Sequence, residues 1–326
     1  MELQRVLERV ARKSMSEHKV PGLSMAFVAD GSVKWASALG VKRAGQDEPV
    51  SEHTVFEAAS LSKPLFALGV LHLCERGDLN LDLPLTSYVD ERILKDDPRL
   101  DLITTRVVLS HTTGLPNWRK GDLTINAEPG TKFGYSGEGF MYLQKAVERI
   151  TGLGLEEFMR AGTMGPLGMT RSSYLFTAEG SADFATGHDK DGLPQPKRQW
   201  RDAMSAASLH TTPADYSRFL AHFMESGDAC LHEACRPQIR ITDSVSWGLG
   251  WGLEHTAADD WLWHWGDNGP FKAFVLASLR QRSGLVVMTN GANGLLCCRD
   301  LACACFGDDH PAINWLFDRF GFDGQR

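Results

Sequence analysis

The run Ser60-Leu61-Ser62-Lys63-Pro64-Leu65-Phe66-Ala67-Leu68-Gly69-Val70-Leu71-His72-Leu73-Cys74 opens with a serine and a lysine three residues apart, then continues apolar almost all round. A helix without a polar face belongs inside a protein, so the composition predicts a buried helix over 65–74. Residues three apart share a helical face, which lets the Ser60 hydroxyl and the Lys63 amine meet. A serine hydroxyl attacks a carbonyl only when a neighbour takes its proton. Lysine does that when neutral, and burial, a nearby positive charge or a helix N-terminus lowers its pKa toward that state. Pro64 fits if the regular helix begins close to it, leaving Ser60 to Lys63 as the turn leading in. The bland alternative is a chance Ser-x-x-Lys whose two residues merely start a helix.

Two further segments carry chemistry. Tyr135 stands in Phe133-Gly134-Tyr135-Ser136-Gly137-Glu138-Gly139-Phe140, ahead of a helical stripe of Phe140, Leu143, Val147 and Ile150 that Gly152 ends. A tyrosine with a depressed pKa can relay a proton with a lysine and later protonate a leaving group. An interfacial tyrosine capping a loop is the competing reading. His264-Trp265-Gly266-Asp267-Asn268-Gly269 leads into a strand predicted over 272–279. Its small residues let a backbone N–H approach a substrate oxygen, and two such N–H groups form an oxyanion hole. Otherwise it is a strand-edge turn whose histidine bonds its neighbours.

The rest of the chain frames these segments. Leu3, Val6, Leu7, Val10 and Ala11 predict an amphipathic helix over 2–13. Strands are expected at 23–28 and 33–39 about the turn Asp30-Gly31, and again at 247–254, 272–279 and 285–289, with helices over 293–306 and 311–320. Strands and helices at both ends thus bracket a largely helical middle with long loops, which predicts one mainly antiparallel unit built from both termini with a helical domain inserted. The polar stretch 180–201 reads as a mobile surface loop.

Composition removes several classes of function. The 326 residues are 43% hydrophobic and 23% charged, ordinary globular usage. Lys and Arg number 34 against 41 Asp and Glu, a net −7 with no basic block, which argues against a nucleic-acid partner. No apolar run approaches the ~20 residues that cross a bilayer, and the N-terminus lacks secretory-signal character. Seven cysteines without regular spacing fit a reducing cytoplasm. Of Cys297, Cys298, Cys303 and Cys305, only Cys298 and Cys305 would share a helical face. Four thiolates therefore cannot converge on a metal, and they read as small buried hydrophobes. His111, in a loop bounded by Gly and Pro, reads as structural.

Together, and in this order, these segments resemble the serine β-lactamase and penicillin-binding-protein superfamily, in particular its class C β-lactamase-like branch with the family VIII carboxylesterase-like hydrolases. The resemblance also rests on Leu109-Ser110-His111-Thr112-Thr113-Gly114-Leu115-Pro116, Pro166-Leu167-Gly168-Met169, Thr211-Thr212-Pro213-Ala214-Asp215 and Trp247-Gly248-Leu249-Gly250-Trp251. It runs from about residue 5 to the C-terminus.

The resemblance implies an α/β fold of the α+β kind, β-lactamase-like: an antiparallel sheet flanked by helices, formed by 1–58 plus 205–326, with a mainly helical domain over 59–204 and the active site in the crevice between them. It implies Ser60 as acylated nucleophile, Lys63 as its base, Tyr135 as proton partner and His264 at the first position of the third motif. The backbone N–H groups of Ser60 and Asp267 would form the oxyanion hole. Trp265, Gly266, Gly137 and Trp118 would touch substrate, with Trp247 and Trp251 either lining a pocket or packing in the core. Neither cofactor nor metal is implied.

Two departures bear on substrate. Gly137 stands where penicillin-recognising members usually carry an asparagine that binds the substrate amide, and His264 replaces a lysine that holds a substrate carboxylate. Both point away from β-lactam or cell-wall peptide recognition and favour small carboxylic esters; with the lack of secretory-signal character and the cysteine usage, the expectation is a cytoplasmic esterase. The alternatives are a β-lactamase, a D-amino-acid peptidase or amidase, or an acyltransferase using the same acyl-enzyme; from a different class, a catalytically silent binding protein on this fold.

Overall fold

The computed structural model describes residues 2–176, 183–197, 200, 202–225, 229–257 and 259–322. In chain order the elements are α1 (Glu2–Glu17), β1 (Gly22–Ala29), β2 (Ser32–Gly40), β3 (Phe56–Ala59), α2 (Ser62–Glu75), α3 (Thr105–Leu109), α4 (Gly137–Thr151) and α5 (Leu155–Met159). After them come β4 (Leu209–Thr211), α6 (Pro213–Glu225), α7 (Ala229–Ala234), β5 (Ile239–Arg240), β6 (Val245–Trp247), β7 (Gly252–His255), β8 (Asp260–Asp267), β9 (Lys272–Ser278), β10 (Ser283–Thr289), α8 (Gly294–Phe306) and α9 (Pro311–Phe320).

An eight-stranded antiparallel sheet runs β2-β1-β10-β9-β8-β7-β6-β5. The N-terminal hairpin pairs with β10 over Leu23–Thr289 to Ala29–Ser283, so the two ends of the chain build one sheet, as expected. Asp30 and Gly31 both take positive φ (46° and 64°), the geometry that a two-residue turn needs to match strand twist. The central strands β9 and β10 are buried along their whole length, which explains their continuous apolar sequences. α1, α8 and α9 pack with one face of the sheet around Leu7, Leu295, Leu301 and Leu316. α6 and the largely apolar α2 belong to the second cluster, around Phe66, Phe140 and Phe219. Cys297 and Cys298 of α8 are buried, and burial raises both thiols, keeping them protonated. No helix among the described residues is long and apolar enough to cross a membrane.

Three sequence expectations change. The single strand over 247–254 is a hairpin, β6 and β7. Gly250 takes φ 85° between them, and a side chain at Gly248 would strike the Ala234 carbonyl. His264 to Asp267 is not a turn ahead of β9 but the end of β8, an eight-residue strand paired with it. Part of the loop expected to be mobile, at 180–182, 198–199 and 201, lies outside the described residues. What is described there is anchored. His188 Nδ1 lies 2.8 Å from the Asn290 carbonyl, Phe184 bridges to Val55, and Trp200 Nε1 donates to buried Glu57 at 3.1 Å.

Candidate active site

Ser60 sits where β3 turns into α2. Ala59 takes φ 51°, a left-handed conformation that costs an alanine of order 1–3 kcal/mol and persists only under tight packing. That packing is present. Ser62 Oγ donates to the Ala59 carbonyl and accepts from Leu209 N–H at 2.9 Å, while the Tyr216 and Tyr174 hydroxyls donate to the carbonyls of Leu61 and Ser62. α2 begins at Ser62, so Ser60 and Leu61 form the turn before it, and Ser60 is the half-exposed residue in an otherwise buried stretch.

Lys63 is fully buried, with Nζ 3.0 Å from Ser60 Oγ and 2.7 Å from the Ala206 carbonyl oxygen. Burial lowers its pKa from 10.5 to about 7. One N–H spent on Ala206 leaves the lone pair of the neutral amine free to face Ser60. Nothing in the sequence flagged the Ala206 carbonyl, because a backbone acceptor has no residue-type signature.

Tyr135 precedes Ser136, the N-cap of α4, whose Oγ accepts from Gly139 N–H at 3.0 Å. Its ring lies 4.8 Å from Lys63 Nζ, and its shielded hydroxyl faces Ser60 without a well-formed hydrogen bond. Burial pushes the phenol up, offset in part by the serine, so the depressed tyrosine pKa expected from the sequence is corrected: Tyr135 is a neutral phenol and Lys63 is the group poised near neutrality.

Two histidines flank the phenol. The His111 ring lies 4.2 Å from that of Tyr135, and its Nδ1 accepts from Ser136 N–H at 3.0 Å, which puts its proton on Nε2. It braces the tyrosine from behind. His264 is fully buried, with Nδ1 2.8 Å from the Trp265 carbonyl, and burial beside Lys63 drops its pKa to about 3. His264 is therefore neutral, and no fixed cation stands at the first position of this motif.

Alternation along β8 puts Trp261, Trp263 and Trp265 on one face and Leu262, His264 and Gly266 on the other. A side chain at Gly266 would come 2.3 Å from the Ala58 carbonyl oxygen, so this glycine lets β8 lie against the strand that carries Ser60. Its smallness serves strand packing. Asp267 is the next residue, its carboxylate paired with Lys272 and accepting from Gly269 N–H at 2.8 Å.

The tryptophans divide. Trp265 lies beneath Tyr135 at 4.6 Å, and Trp247 meets His111 and Tyr135 edge-on. Trp251 packs in the core against Phe219 and Phe223. Trp118 is 42% exposed. Gly137 is buried beneath it: a side chain there would come 2.8 Å from the Asn117 carbonyl and 2.9 Å from the Trp118 indole. Tyr135 and Asn117 also line a cavity of about 680 Å³ whose wall includes Phe133, Trp315 and Phe320. The last two come from α9, too far along the chain for motif reading to connect them with Tyr135.

The chain is similar to several known proteins. A family model described as Beta-lactamase matches residues 7–296. Esterase EstB of Burkholderia gladioli is 30% identical over 291 residues, covering 78% of this chain and 72% of the esterase. Protein flp of Staphylococcus aureus (strain N315) is 23% identical over 317 residues, covering 88% of this chain; this chain spans 63% of the length of that relative. Among solved structures, D-alanine carboxypeptidase AmpC from Burkholderia cenocepacia superposes with a TM-score of 0.83 at 22% identity, covering 94% of this chain and 99% of that one. A class C β-lactamase gives 0.80 at 19% identity, covering 95% and 97%.

Proposed function

The chain belongs to the Beta-lactamase family, and on that premise we propose that it is a serine hydrolase cleaving carboxylic esters through a covalent acyl-enzyme on Ser60. The observation that carries this reading is the 3.0 Å contact between Ser60 Oγ and a lysine amine whose pKa burial has brought to about 7. A neutral Lys63 takes the hydroxyl proton as Ser60 Oγ bonds to the ester carbonyl carbon. The resulting oxyanion sits between the backbone N–H groups of Ser60 and Asp267; the close approach of Gly266, next to Asp267, to Ala58, two residues before Ser60, supports this pairing.

Collapse of the intermediate breaks the bond to the alcohol oxygen. Lys63, now an ammonium, returns its proton through the Tyr135 phenol to the departing alkoxide. Water then adds to the acyl carbon, with the same groups taking its proton, and expels Ser60. A proton on Lys63 disfavours one on His264 or His111, because each of those rings is buried and pushed down by the lysine charge. The site therefore cycles one proton at a time.

Esters are favoured over β-lactams and D-amino-acid peptides by two features. His264 supplies no cation for a substrate carboxylate, and Asn117 and Trp118 fill the space where a side chain at position 137 would reach a substrate amide. The esterase relative points the same way. The test is a side-by-side assay of an aryl acetate, nitrocefin and a D-alanine amide with wild type and Ser60→Ala. Ester turnover that Ser60→Ala abolishes supports the reading; preferential turnover of nitrocefin or the amide overturns the substrate assignment.

A further inference from the structure

Tyr135 forms one wall of the 680 Å³ cavity, which the aromatic rings of Phe133, Trp315 and Phe320 continue outward. Phe133 meets Trp315 at 5.8 Å and Trp315 meets Phe320 at 6.0 Å, so a continuous aromatic wall runs outward along the cavity that the Tyr135 ring borders. Its lining also holds Lys132, Arg240 and Arg319 and, among the described residues, no Asp or Glu. Arg240 pairs with Asp243, which is outside the lining. Lys132 and Arg319 make no ion pair among the described residues. In a chain of net charge −7, a cavity whose described lining carries three cations and no acid runs against the overall balance.

We propose that this cavity binds the alcohol-side arm of the ester, and that the arm it selects is aromatic and ends in an anionic group, a carboxylate in the simplest case. The inference rests on the acyl-enzyme reading above, in which Tyr135 protonates the departing alcohol. The leaving oxygen then lies against the phenol, and whatever it carries extends along Phe133 toward Trp315 and Phe320. A flat ring fills the apolar part with offset or edge-on contacts. A carboxylate at its far end reaches the cationic edge, where Arg319 and Lys132 are free to pair with it. The anion is thus recognised outside the catalytic pocket, on α9 and the loop before α4, while His264 inside it stays neutral.

The experiment compares 4-carboxyphenyl acetate with its near-isosteric neutral partner, 4-carbamoylphenyl acetate, each rate divided by that of alkaline hydrolysis. Wild type is expected to favour the carboxylate in kcat/KM by about tenfold at low salt, falling as salt screens the cations. In Lys132→Gln/Arg319→Gln the carboxylate-to-amide ratio should drop by about tenfold. A wild-type ratio within twofold of unity, or a ratio unchanged in the double variant, overturns the proposal.

Calorimetric titration with 4-hydroxybenzoate and 4-hydroxybenzamide separates this from the acyl-enzyme reading. If neither ester is cleaved, that reading fails, yet tighter binding of the carboxylate that the double variant loses still supports the cavity assignment. Equal binding of the two overturns it.

Discussion

Replacing Lys63 by methionine should destroy activity and make the protein more stable. In the unfolded chain the amine titrates near 10.5, but in the folded one near 7. At 1.36 kcal/mol per pH unit, the fold pays roughly 5 kcal/mol below pH 7 to keep this amine buried. The sign follows from proton counting. Between pH 7 and 10.5 the unfolded state holds a proton that the folded state has released, so stability climbs with pH across that window. The cost is complete below pH 7 and gone above 10.5.

Methionine matches the lysine stem in length and carries no charge, but it leaves the Ala206 carbonyl unpaired, a loss of about 1–2 kcal/mol. The net gain is then about 3 kcal/mol at pH 6.5 and about 2 kcal/mol at pH 8. With an unfolding entropy of about 2.1 cal/mol/K per residue over 326 residues, these correspond to rises in Tm of roughly 4 °C and 3 °C. Differential scanning calorimetry of both proteins from pH 6 to 9.5 reads this directly. A methionine variant less stable than wild type at every pH, or a Tm difference independent of pH, would falsify the buried neutral amine.

Other outcomes follow from the same geometry. The acid limb of kcat/KM should show an apparent pKa of about 7, with activity falling about tenfold per pH unit below it as Lys63 protonates; a limb near 4 or 5 would point to a carboxylate base instead. Tyr135→Phe should lower kcat by about 10²–10⁴-fold while leaving Tm within a degree or two, since the hydroxyl is shielded without a well-formed hydrogen bond; intact turnover removes the phenol from the proton path. Gly266→Ala should destabilise by about 1–3 kcal/mol and cut activity, because its methyl group meets the Ala58 carbonyl and pushes β8 away from Ser60; a wild-type rate at unchanged Tm would contradict the packing role.

The sequence disclosed the parts of this architecture that local chemistry dictates. A helix apolar on every face has one place to go, so the burial of α2, and with it of Lys63, was legible at once. The Asp30-Gly31 turn and the Gly152 cap, which takes φ 70°, followed from backbone sterics alone. β8 was hidden because histidine, glycine and aspartate dilute its strand character, although Trp261, Trp263 and Trp265 at a spacing of two were the signal that could have exposed it. The Trp247–Glu254 segment misled in the opposite sense: Gly248 and Gly250 sit among strand-forming residues and make the hairpin turn.

The tyrosine pKa was misjudged for a different reason. Its direction depends on how much water reaches the hydroxyl, and that is a property of packing by His111, Trp265 and Trp247. Likewise Phe133, Trp315 and Phe320 converge only through tertiary contacts between α9 and the loop before α4.

The most direct test labels the nucleophile. Wild type incubated with a fluorophosphonate should gain a single adduct by intact-protein mass, mapped by peptide digestion to Ser60, and Ser60→Ala should gain none. An adduct on any other residue, or undiminished ester hydrolysis by Ser60→Ala, would contradict the account.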